Sequence, residues 1–175
     1  MKGDNCMKSL IVYFSRRGEN YAVGNISEGN AEHIAKEISK ITNGDLFEIE
    51  PLKSYAKNYK KCTEEALEEL NNNEKPELKK YLSSIEQYDV IYLCYPNWWG
   101  TYPRPLATFL SKYNFENKII MPMCTHEGSG MGNSELELKS TLKRATIKKG
   151  LSIKGTNARS SKDKIEEWIK KEIGD

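Results

Sequence analysis

The sequence predicts a doubly wound, three-layer α/β domain, on three observations. Short apolar runs rich in β-branched and aromatic residues alternate along the chain with segments whose apolar residues recur at helical spacing. The first of those runs, Leu10 to Phe14, is unbroken rather than alternating, as expected of a parallel strand covered on both faces. The segments between them are short, so each strand is followed by a covering helix.

Leu10-Ile11-Val12-Tyr13-Phe14 is the first strand. Ala31, Ile34, Ala35, Ile38 and Ile41 follow at helical spacing, and Asn43-Gly44 supplies the stop. Leu46 to Ile49 is a short second strand ended by Pro51. Tyr55 to Leu70 reads as a strongly charged helix; Asn71-Asn72-Asn73 and Pro76 interrupt it, and a short helix is expected over Leu78 to Ile85. Val90 to Tyr95 is the third strand. Pro105 can open the next helix, with Leu106, Phe109 and Leu110 facing inward. Lys118 to Cys124 makes the fourth strand, where Pro122 weakens the ladder unless its nitrogen faces no neighbour. Ser134-Glu135-Leu136-Glu137 has the form of a capping box and starts a helix. A fifth strand covers Gly150 to Ile153, and a last helix places Ile165, Trp168, Ile169 and Ile173 on one face. Pattern alone leaves the strand order open.

A chain of 175 residues is most economically one domain with one sizeable core, here over 8–175, with 1–7 as a loose polar tail. That start lacks the apolar stretch of a signal peptide, and no apolar run approaches the roughly 20 residues that span a bilayer, so a cytoplasmic protein without a membrane role is expected. The four cysteines, Cys6, Cys62, Cys94 and Cys124, show no metal-ligand spacing and read as reduced structural residues. With only two histidines, no metal centre is expected. Lysine and arginine number 27 against 25 acidic residues, well mixed, which argues against a nucleic-acid surface.

Three chemically distinct loops leave the C-terminal ends of the first, third and fourth strands, the edge where open α/β sheets bind ligands. The first, from Ser15-Arg16-Arg17-Gly18 to Gly29-Asn30, runs about 14 residues where ~2–6 are usual. Ser15, Arg17, Gly29 and Asn30 offer a hydroxyl, a guanidinium, close backbone approach and a helix start, the needs of a phosphate. The loop lacks the Gly-Lys-Ser/Thr ending of a nucleoside-triphosphate loop and the GxGxxG of a dinucleotide site. The second loop, Pro96-Asn97-Trp98-Trp99-Gly100-Thr101, puts two indoles at the sheet edge, where at least one can stack on a planar ligand. The third, Thr125-His126-Glu127-Gly128-Ser129-Gly130, lets the backbone pass close to a ring. His126 and Glu127 are adjacent, so they read as positioning groups rather than an acid–base pair, and no catalytic side chain is assigned.

At these residues the chain resembles the flavodoxin family, through Tyr-Phe-Ser-Arg at 13–16, Pro-Asn-Trp-Trp-Gly at 96–100 and Thr-His-Glu-Gly-Ser-Gly at 125–130. The resemblance extends from Met7 to the last helix and takes in Tyr55, Tyr59 and Lys75-Pro76. It implies a flavodoxin-like sheet in the order 2-1-3-4-5 with non-covalent FMN where the order reverses. By that likeness Ser15, Arg17, Asn30 and Ala31 hold the phosphate. Pro96, Asn97, Trp98, Trp99 and Gly100, with Thr125, His126, Glu127, Gly128 and Ser129, contact the isoalloxazine. Departures are visible: the compact phosphate loop is expanded, Ala31 stands where relatives usually carry threonine, and the chain is slightly basic where electron-carrying flavodoxins are acidic.

Electron transfer through bound FMN, to a partner protein or small-molecule acceptor yet to be identified, is the function this implies. The alternatives are a small NAD(P)H-dependent FMN oxidoreductase of quinone-reductase type and a non-catalytic flavodoxin-shaped binding module.

Overall fold

In the computed structural model, which describes residues 6–174, parallel strands β1 (Ser9–Tyr13), β4 (Asp45–Glu48), β5 (Val90–Pro96), β6 (Ile119–His126), β7 (Thr146–Ile147) and β8 (Leu151–Lys154) form the main sheet. Their order is β4-β1-β5-β6-β7, with β8 also pairing β6, so β7 and β8 together fill the fifth place. This is the flavodoxin-like order 2-1-3-4-5. Helices α1 (Asn30–Thr42) and α5 (Lys162–Ile173) cover one face; α3 (Arg104–Leu110) and α4 (Ser134–Thr141) cover the other, and α2 (Tyr59–Asn71) packs beside α3.

The continuous apolar runs follow from that double cover. Leu10, Val12 and Phe14 of the first run and Ile91, Leu93 and Tyr95 of β5 enter the core under α3 and α4. Ile11, Tyr13, Val90, Tyr92 and Cys94 enter the core under α1 and α5, as period-two alternation requires. Helix α1 presents Ala31, Ile34, Ala35 and Ile38 inward and ends with Asn43 in the left-handed conformation (φ 53°). Gly44 follows because a Cβ there would lie 2.5 Å from Ile11 Cδ1.

Pro122 has a structural explanation. β6 pairs β7 at Ile119 and Ile120 and β8 from Met123 onward, leaving Met121 and Pro122 in the break between them. A residue without an N–H is tolerated where the ladder is already interrupted.

Several local expectations are corrected. The helix expected from Tyr55 starts at Tyr59, where the Asn58 side chain accepts from Lys61 N and caps it. No helix forms over 78–85; Leu78 makes an isolated bridge to Pro51 instead. Ser134 is not a capping residue: it lies inside α4, fully buried, accepting from Tyr95 Oη at 2.9 Å and donating to the Met131 carbonyl at 2.6 Å. The fifth strand is split, as above. The long first loop contains an antiparallel hairpin, β2 (Gly18–Asn20) with β3 (Gly24–Ile26), where only a loop was expected. Of the expected N-terminal tail, 1–5 lie outside the described residues, while Cys6 and Met7 are exposed. No helix among the described residues is long and apolar enough to cross a membrane.

Candidate functional site

Because β1, β5 and β6 are parallel and adjacent, their C-terminal ends share one edge, and the loops leaving them converge. They enclose a cavity of about 440 Å³. Ten of the residues expected to hold a ligand line it: Asn30, Pro96, Asn97, Trp98, Trp99, Thr125, His126, Glu127, Gly128 and Ser129.

The second and third loops are tied to each other before anything binds. Pro96 is in register with Thr125, and Asn97 N–H donates to the Thr125 carbonyl at 2.8 Å. The Asn97 side chain donates to the Gly130 carbonyl and accepts from Gly100 N, both at 2.9 Å. Trp98 and Thr101 exchange backbone hydrogen bonds across a tight turn whose central residues, Trp99 (φ 57°) and Gly100 (φ 86°), both have positive φ. That turn splits the two indoles. Trp98 is half-buried, its ring edge-on to Phe14 and Tyr55 at 5.0 Å each. Trp99 is 52% exposed, and its indole N–H donates to the Thr63 carbonyl of α2 at 2.8 Å. One indole is therefore a wall of the cavity and the other its rim.

In the third loop, His126 Nδ1 accepts from Gly128 N at 2.9 Å, and Glu127 Oε1 accepts from Thr156 N at 3.0 Å. The two side chains close different turns and do not form an acid–base pair. Burial lowers the His126 pKa below its ordinary value, which matches a neutral ring accepting at Nδ1.

The first loop differs most from expectation. Arg17 does not line the cavity: its guanidinium pairs with Glu32 at 2.8 Å and Glu48 at 2.9 Å. Ser15 Oγ accepts from Glu32 N at 3.0 Å, capping α1 from outside the helix. The N-cap position itself is Gly29, where a Cβ would lie 2.0 Å from that same oxygen. Ala31 is a buried core residue, and Gly100 is a turn residue outside the lining.

The neighbouring Arg16 lines the cavity instead, its guanidinium donating to the carbonyls of Glu19 (2.7 Å), Ala56 (3.1 Å) and Lys57 (2.7 Å). It thereby straps the hairpin to the segment before α2. Tyr21, at the hairpin tip, stacks on Tyr59 of α2 with ring centroids 6.3 Å apart, and both line the cavity. Asn20, Cys62, Thr63, Ala66 and Gly155 complete the lining and were not expected. Burial pushes the Cys62 thiol up to about 11, so it is a neutral wall group at neutral pH. For Arg16 the signal was its adjacency to Arg17; Gly155, just past β8, carried none.

The lining thus combines the Asn30 amide at the start of α1, the Arg16 guanidinium beside the segment before α2, the aromatic rings of Tyr21, Tyr59, Trp98 and Trp99, and the third loop. Such a mixture suits a planar ring system carrying an anionic tail.

Residues 8–172 match the sequence model of the Flavodoxin family, and the chain belongs to that family. Similar solved structures include a candidate flavoprotein of Bacteroides eggerthii (26% identity, TM-score 0.78, covering 95% of this chain and 98% of that one). A flavoprotein of Lactobacillus acidophilus in complex with FMN shares the fold at 20% identity (TM-score 0.66, covering 91% and 99%). A Fusobacterium nucleatum flavodoxin bound to flavin mononucleotide does so at 12% identity (TM-score 0.53, covering 94% and 96%). No curated protein matches the sequence.

Proposed function

We propose that the protein binds FMN non-covalently and carries electrons through it. The supporting observation is the convergence of three loops of different chemistry on one cavity of about 440 Å³. When bound, FMN supplies reversible electron uptake at its ring system. The residues present fit that group. Asn30, with Arg16 in the same lining, would serve the phosphate, Trp98 and Trp99 would flank the ring, and Thr125 to Ser129 would offer backbone dipoles and hydroxyls to its polar edge. Family membership and the two FMN-containing relatives of the same fold support the choice of flavin.

The chain's own groups restrict access and set the electrostatics around the ring. Trp98 closes the inner wall, while the Tyr21–Tyr59 pair and Trp99 leave an aromatic edge in solvent. An electron can pass across that edge to an acceptor without any protein group forming a bond to it. His126 and Glu127 each close a different turn of the third loop and are not paired with each other.

The test is titration of the purified protein with FMN, followed by flavin fluorescence and visible absorption, then reduction. The expected result is tight uptake, bleaching by dithionite and an unchanged spectrum with NADPH alone. A protein that takes up no FMN overturns the proposal. Bleaching by NADPH would instead establish the reductase alternative.

A further inference from the structure

The geometry points to Arg159, from the far end of the chain, as the residue that makes this cavity select a phosphorylated flavin over an unphosphorylated one; this rests on the FMN reading above. Arg159 lies on the 3₁₀ turn Gly155–Ser160 that follows β8. Its Nη1 donates to Asn30 Oδ1 at 2.8 Å, and its Nη2 to the Glu28 carbonyl at 2.7 Å. Guanidinium can only donate, so the oxygen of the Asn30 amide is fixed on Arg159, and Nδ2 is left as a donor. Among the described residues nothing accepts from that Nδ2, and Asn30 lines the cavity. An amide held in this way is a preset donor for an anionic oxygen.

Charge makes the same distinction. Arg17 is compensated by Glu32 and Glu48. Arg159 touches only a side-chain amide and a carbonyl, so among the described residues its positive charge is offset by no carboxylate partner. It remains exposed beside the first turn of α1. A phosphate there meets the field of Arg159 directly and its geometry through Asn30. The turn is itself anchored on the cavity: Thr156 N donates to Glu127, Ala158 is buried, and a Cβ on Gly155 would lie 2.3 Å from Asn30 Nδ2. Arg159 is therefore a positioning residue, acting through Asn30 on the phosphate end.

The experiment compares dissociation constants for FMN and riboflavin, at low and high salt, in the wild type and in Arg159→Ala. Expected is an FMN loss of roughly tenfold, the scale of one charge-assisted hydrogen bond, with riboflavin changed by less than about twofold. The salt dependence of FMN binding should also become shallower. Equal losses for the two flavins, or no loss, overturns the assignment and reduces Arg159 to a loop tie. A wild type that does not prefer FMN overturns it too, and by a different route, because the FMN reading then fails in the unaltered protein. Should Arg159→Ala not fold, Arg159→Gln carries the same comparison: it removes the charge, keeps an amide donor for Asn30, and should still show an FMN-selective loss.

Discussion

Gly155 shows how much of the site depends on single atoms. A methyl group there would lie 2.3 Å from Asn30 Nδ2 and 2.6 Å from Glu127 Oε1, so a side chain from each of two cavity loops would have to give way. Gly155→Ala should cost about 1–3 kcal/mol, seen as a lower melting temperature and weaker flavin uptake together. A variant with wild-type affinity would show that the loops re-seat without consequence for the ligand. Arg17 makes the opposite case, a residue of binding-site chemistry put to structural use. Burial opposes ionisation of Glu32, yet hydrogen bonds and charge from Arg17 and Lys36 outweigh it, and its carboxyl is held below the usual 4.5. A depressed folded pKa gives stability that is present above 4.5 and lost as pH falls through the lower folded value. Arg17→Ala should therefore destabilise by about 1 kcal/mol or less at pH 7, since nearly half of Arg17 is in water, and by less in acid. Urea unfolding at both pH values measures this, and the FMN-to-riboflavin preference should stay unchanged. The two arginines at 16 and 17 could not be told apart by sequence. Both are long cations in one loop, and the position of Glu48 on a neighbouring strand decides which is neutralised.

Among the elements, the β2–β3 hairpin is the one that stands where the sequence predicts plain loop. It is held by three Arg16 donors to carbonyls, by Tyr59 N donating to Glu19 at 2.8 Å and by the Tyr21–Tyr59 stack, with no core residue beneath it. Arg16→Ala should leave the melting temperature nearly unchanged while speeding amide exchange across 18–26 and lowering flavin affinity. If exchange there stays slow, the aromatic stack alone holds the hairpin. The sequence showed that this loop was too long to be idle. It did not show the hairpin, because Gly18-Glu19-Asn20 and Gly24-Asn25-Ile26 lack the β-branched pattern by which strands are recognised. The absent helix at 78–85 fails for the reverse reason: apolar spacing was present, but Leu78 and Ile85 are consumed by the core beside Phe47 and Tyr88 while the backbone between them stays irregular.

At the scale of the whole molecule, sheet and site are one construction. Tyr95 and Ser134, both buried, join β5 to α4 directly under the second loop. Ser134→Ala removes the partner of a buried phenol and should cost about 1–3 kcal/mol, shifting the urea midpoint without changing the slope. A changed slope would mean the two layers no longer unfold together. The sheet was legible because three runs of continuous apolar residues, Leu10–Phe14, Val90–Tyr95 and Ile119–Cys124, read as strands covered on both sides, and all three deliver their loops to one edge. The contribution of the 3₁₀ turn was not, since Asn30 and Arg159 lie 129 positions apart and only the closed sheet brings them within 2.8 Å. The hairpin stands in contrast, fastened to the rim by local ties. Lengthening or replacing such a segment changes loop-closure entropy only slowly. Residues 18–26 are thus a natural graft point: if the protein carries electrons as proposed, hairpins of other sequence installed there would re-aim the same flavodoxin scaffold at a different acceptor while every strand keeps its register.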